Sequence, residues 1–107
     1  MRTITKIDYN GLTLSDGTRI LHEHEQDCCE NVYADWKAGF EDVDLSTFDV
    51  SEIDIENVEN SGFRLNGQFV PCYDEQNGYY SSDLRIEVVS QVGNILRSVN
   101  VDSEARD

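Results

Sequence analysis

The chain has 107 residues and carries 22 acidic against 8 basic side chains, a net charge of −14. That length suits one domain with one core, and apolar residues are spread from Ile4 to Val101. A charge of this size and sign repels phosphate, so direct nucleic-acid backbone binding and an anionic membrane surface are disfavoured, and a basic protein is the better electrostatic partner.

The opening Met1-Arg2-Thr3-Ile4-Thr5-Lys6 lacks the apolar run of a signal peptide. No stretch approaches the roughly 20 apolar residues of a membrane span. The cysteines are three, Cys28, Cys29 and Cys72, an odd set with an adjacent pair and a poor disulfide framework. The expected compartment is reducing and cytoplasmic.

Turn signals are the strongest local features. Asn10-Gly11, Asp16-Gly17, Asn66-Gly67 and Asn77-Gly78 supply the positive φ that tight hairpins demand. In chain order, strands are predicted over residues 2–9, 12–14 and 18–24. Alternation puts Ile20, His22 and His24 on one face of the third. A helix is predicted over 28–38, with Asp27 as N-cap, Glu30 completing a capping box, and Cys29, Val32, Tyr33 and Trp36 recurring at i, i+3, i+4 and i+7. Gly39 is its stop. An acidic loop with apolar anchors follows over 40–50, then strands over 52–58, 63–65, 68–74, 79–80, 84–90 and 95–101. Pro71 marks an edge or a bulge, and the polar tail over 102–107 is expected to fray. The fold class expected is α+β: an antiparallel, hairpin-rich sheet with one main helix packed on it, as a single acidic domain.

Eight acids crowd residues 41–59: Glu41, Asp42, Asp44, Asp49, Glu52, Asp54, Glu56 and Glu59, with no Lys or Arg between Lys37 and Arg64. On a strand, Glu52, Asp54 and Glu56 would share one face at spacings of about 6.6–6.8 Å. Such a row matches a line of phosphates in sign and spacing, and a protein that grips nucleic acid could grip it instead. A merely solvated acidic face explains the same alternation.

A second constellation is His22-x-His24 followed by Cys28 and Cys29. Imidazole and thiolate are zinc's preferred ligands, and Cys72 could add a distant one. Yet there is no Cys-x-x-Cys, and adjacent cysteines on a helix point about 100° apart. Alternatively Cys29 packs with Val32 and Trp36 as a small hydrophobe. A Cys–His nucleophile from Cys28 or Cys29 with His24 lacks a third orienting group. No calcium loop, phosphate loop or Gly-x-Ser-x-Gly is present, so the chain reads as a non-enzyme. Tyr73, Tyr79 and Tyr80 around Asn77-Gly78 suit cross-strand packing or an interface anchor.

The segment Asp27-Cys28-Cys29-Glu30, after Leu12-Thr13-Leu14-Ser15-Asp16-Gly17-Thr18, resembles a family of small uncharacterised phage and bacterial proteins in which an Asp-Cys-Cys-Glu segment follows an early β-hairpin. Tyr79-Tyr80-Ser81 and Leu84-Arg85-Ile86 fit the same resemblance, which spans Ile4 to Val89. The family carries no assigned activity. The resemblance implies a phage or mobile-element setting, in which small acidic proteins are similar in type to anti-CRISPR and anti-restriction inhibitors. The function expected is therefore an accessory protein that binds and inhibits a basic nucleic-acid-handling host protein, as a nucleic-acid mimic without a cofactor, in the host cytoplasm. The alternative is a small zinc-binding structural or regulatory domain using His22, His24 and Cys28 or Cys29.

Overall fold

The computed structural model describes residues 1–23, 30–76 and 84–106, and in these residues strands are the dominant element. In chain order these are β1 (Ile4–Asp8), β2 (Gly11–Leu14), β3 (Arg19–Glu23), β4 (Glu30–Ala34), the short helix α1 (Trp36–Gly39), β5 (Ile55–Val58), β6 (Gly62–Leu65), β7 (Gln68–Gln76), β8 (Leu84–Val89), β9 (Ile95–Val101) and β10 (Glu104–Arg106). One antiparallel sheet runs β1-β2-β3-β8-β9, and a second runs β10-β7-β6-β5 with β4 also on β7. Among the described strands, only β10 pairs in parallel, with β7.

The inner faces form one core. In β8 the pattern is regular: Leu84, Ile86 and Val88 are buried while Arg85, Glu87 and Val89 are half-exposed. Leu12, Leu14 and Ile20 join them from the same sheet, against Val32, Phe63, Leu65, Val70 and Cys72 from the other. Among the described residues, no helix is long and apolar enough to cross a membrane.

The expected main helix over 28–38 is not there, and the fold is mostly β rather than α+β. Asp27, Cys28 and Cys29 lie outside the described residues, but Glu30–Ala34 is a strand paired antiparallel with β7, Val32 opposite Asp74 and Ala34 opposite Cys72. The physical reason is a pattern that fits both periods. Val32, Ala34 and Trp36 are buried and Tyr33 and Asp35 are half-buried, an alternation of period two. The helical stripe drawn through Val32, Tyr33 and Trp36 uses β-branched and aromatic residues that favour a pleated surface. The open ladder of β7 then decides. Of the described residues only Trp36–Gly39 turn helical, and the N-cap is Asp35, whose side chain accepts from the Ala38 amide.

Other boundaries shift for similarly local reasons. Pro71 sits where β7 changes partners, from β6 over Gln68–Pro71 to β4 from Cys72 onward, and its carbonyl accepts from the Asp35 amide. The tail, expected to fray, carries β10, and two bonds tie down its approach: the Asp102 amide donates to Asn57 Oδ1 at 2.7 Å, and the Asn60 amide to Asp102 Oδ2 at 3.0 Å. The first hairpin closes at Tyr9-Asn10, where Asp8 Oδ1 accepts from the amides of Asn10 and Gly11 at 2.9 and 3.2 Å. Gly11 has φ +152°, and a Cβ there would run into the Ile20 carbonyl oxygen. Asn66 and Gly67 both have positive φ, as a two-residue Asn-Gly hairpin requires. Asn77-Gly78, Tyr79 and Tyr80 lie outside the described residues.

Candidate functional site

The acidic segment is held by its apolar residues. Phe40 and Val50 are buried, and Val43, Leu45, Phe48 and Ile53 pack onto the core. Phe40 and Phe48 meet edge to face at 5.4 Å. Between these anchors Glu41, Asp42, Asp44, Asp49, Glu52, Asp54, Glu56 and Glu59 are all exposed. The strand expected over 52–58 begins only at Ile55, so Glu52 and Asp54 precede it and only Glu56 of that trio is on a strand. The outward alternation nevertheless persists, with Ile53 half-buried and Ile55 buried between exposed acids.

Two Asp-x-Ser turns shape the loop. Asp44 Oδ1 accepts from the Ser46 amide and hydroxyl at 3.1 and 2.7 Å. Asp49 Oδ1 accepts from the Ser51 amide at 2.9 Å and from its hydroxyl, and these Ser51 contacts hold the Asp49 carboxyl below the usual range.

Residues distant in sequence fix the backbone beneath the carboxylates. Arg2 Nε donates to the Val50 carbonyl at 2.8 Å, and its Nη2 to the Ser51 carbonyl at 3.2 Å. Arg2 is oriented in turn by Asp16, at 3.1 Å. The Asp16 carboxyl is held down to about 2, first by bonds from Thr18 and then by Arg2. Arg97 reaches the Ile53 carbonyl at 2.9 Å. Asn66 donates through Nδ2 to the carbonyls of Asp49 and Glu52 at 3.0 and 2.7 Å, and its Oδ1 accepts from the Asp54 amide at 2.7 Å. Asp49, Ser51, Glu52, Asp54 and Asn66 line a concavity of about 420 Å³. Arg64 stands opposite Glu56 across the β5–β6 ladder. Among the described residues, no ion pair takes a carboxylate from this belt.

Of the His/Cys constellation, His24, Cys28 and Cys29 lie outside the described residues. His22 shares the inner side of β3 with Ile20, as alternation required, and its Nδ1 accepts from Trp36 Nε1 at 2.9 Å. Its ring lies within 14° of the plane of the Trp36 ring, with centroids 6.3 Å apart, and meets Tyr9 edge-on at 5.3 Å. Burial lowers its pKa from the ordinary value, against the pull of Glu23 and Asp8. The neutral ring therefore carries its proton on Nε2, and Nδ1 is committed to the indole. Cys72 is fully buried, its thiol pushed up to about 12 by desolvation. Among the described residues, no three His, Cys, Asp or Glu side chains cluster as metal ligands.

A feature the sequence did not announce lies beside His22. The β1–β2 turn and the β4–α1 junction enclose a cleft of about 260 Å³ lined by Asp8, Tyr9, Tyr33, Ala34, Asp35, Trp36 and Lys37. Tyr9 is 56% exposed, and its ring lies 5.9 Å from that of Tyr33. Tyr73, expected in an aromatic hairpin, extends this series by packing on Tyr33 at 5.7 Å. No protein-family model matches the chain, and neither a curated protein nor a solved structure is significantly similar to it.

Proposed function

We propose that this protein is a phage-type accessory protein that binds a basic, nucleic-acid-handling host protein through the acidic belt of residues 41–59 and inhibits it stoichiometrically, in the manner of anti-CRISPR or anti-restriction proteins. The observation that carries the reading is that all eight belt carboxylates are exposed and that the stretch bearing Asp49, Glu52 and Asp54 has its backbone pinned from below by Arg2, Asn66 and Arg97. An anion array held in place loses little conformational freedom on binding. A cationic groove built for phosphates meets it with charge complementarity, which speeds encounter and excludes wrong partners. Within the belt the arginines bond backbone carbonyls rather than carboxylates, so they fix the loop without pairing off its outward charge.

The test is affinity capture from a bacterial lysate at low salt, with elution by salt and identification by mass spectrometry. The expected catch is a basic nuclease or other nucleic-acid-binding protein, displaced by competing duplex DNA. The variant combining Glu52→Lys, Asp54→Lys and Glu56→Lys is expected to lose that catch. Capture that ignores salt, DNA and the triple variant rejects the belt as the binding surface.

A further inference from the structure

We propose that the cleft between the β1–β2 turn and the β4–α1 junction is a second recognition site, one that takes the guanidinium of an arginine side chain from a protein partner. Its size is the first argument. At about 260 Å³ it falls just below the roughly 300–1,000 Å³ of small-molecule sites, and so suits one long side chain better than a cofactor.

The lining is the second argument. Tyr9, Tyr33 and Trp36 all line the cleft, with the Tyr9 and Tyr33 rings 5.9 Å apart, and a guanidinium is attracted to such rings within about 6 Å of their centroids. Asp8 and Asp35 flank them. Each is locked by one oxygen to a local turn, Asp8 Oδ1 to the Asn10 and Gly11 amides and Asp35 Oδ1 to the Ala38 amide. Asp8 Oδ2 carries a long, exposed ion pair with Lys6 at 3.9 Å, which an incoming guanidinium displaces. An aromatic lining that also carries two carboxylates favours a planar, delocalised cation, and arginine meets that chemistry where lysine supplies only a point charge.

The third argument is sign. On a chain of net charge −14 an anionic ligand is repelled, whereas arginine is what a phosphate-gripping partner presents. The source of the arginine rests on the function proposed above; the chemistry of the cleft does not. Lys37, exposed at the rim, opposes a cation.

The test is a titration of the intact protein with three capped peptides, acetyl-Gly-Arg-Gly-amide and its Lys and citrulline counterparts. Binding is read from the Nε1–H resonance of Trp36, the only tryptophan in the chain. The arginine peptide is expected to give a saturable shift there and at the Tyr9 and Asp35 amides, with the lysine peptide weaker and the citrulline peptide weaker still. Tyr9→Ala should weaken binding roughly threefold to tenfold. Asp35→Asn keeps the helix cap while removing a charge, and should weaken it too. Lys37→Met should strengthen it. Equal binding of citrulline, or a shift unchanged in Tyr9→Ala and Asp35→Asn, overturns the site. Agmatine binding more tightly than the arginine peptide overturns the protein source. Arginine-peptide binding that survives in the Glu52→Lys, Asp54→Lys, Glu56→Lys variant keeps this site even if that variant and the native chain both capture nothing from a lysate.

Discussion

The Asn66 amide spends both its ends on the acidic belt, donating to two carbonyls and accepting from one amide while its backbone holds φ at +48°. Asn66→Asp removes the two donors and sets a carboxylate against the Asp49 and Glu52 carbonyls. The expected loss is about 1–3 kcal/mol of stability by urea denaturation. Asn66→Gly tolerates the φ and should cost less, isolating the side-chain bonds from the backbone strain. His22 gives a pH signature. Its pKa is lowered from 6.5 by burial, so the unfolded chain takes up this proton first as pH falls. The associated stability is complete above about pH 6.5 and is lost progressively below it, toward the folded-state value. His22→Gln removes the titration, so the melting temperature of the native chain relative to this variant should fall between pH 7 and 5. A flat difference rejects it. Cys72, with its thiol raised to about 12, should resist thiol reagents until the protein unfolds, as peptide mapping can read.

At the scale of elements, the β1–β2 hairpin depends on a glycine for space as much as for conformation. Gly11→Ala puts a Cβ against the Ile20 carbonyl at φ +152°. The expected cost is about 3 kcal/mol or more, the upper range for a strained backbone position, and a melting curve indistinguishable from the native one would reject the close approach. The same hairpin carries Asp8 and Tyr9 to the cleft, so its loosening should also broaden the Trp36 indole signal. The β4 segment shows how little separates strand from helix over a short stretch. Its apolar residues satisfy both periods, and pairing with β7 supplies the hydrogen bonds that an isolated short helix could not sustain. Carbon-13 secondary shifts of Asn31 to Ala34 should therefore be strand-like.

Over the whole molecule, the charge of −14 acts on folding and on binding with opposite signs. Self-repulsion weakens the compact state, and salt screens it over a Debye length that shrinks from about 30 Å at 0.01 M to about 3 Å at 1 M. The melting temperature should rise with salt across that range while affinity for a basic partner falls. Stability and affinity falling together would mean that repulsion is not what limits the fold.

The sequence by itself determined what is local: the hairpin turns at Asp16-Gly17 and Asn66-Gly67, the alternation of β8, the face that His22 shares with Ile20, and the exposure of the acids over 41–59. These follow from φ requirements and from solvation, which each residue carries with it. The tertiary structure alone decided what depends on a distant partner. It made residues 30–34 a strand because β7 offered an open ladder. It brought Arg2, Asn66 and Arg97 under a segment that has no base of its own between Lys37 and Arg64. It assembled the aromatic cleft because two sheets packed face to face set the β1–β2 turn beside the β4–α1 junction, a meeting that no local pattern in either segment encodes.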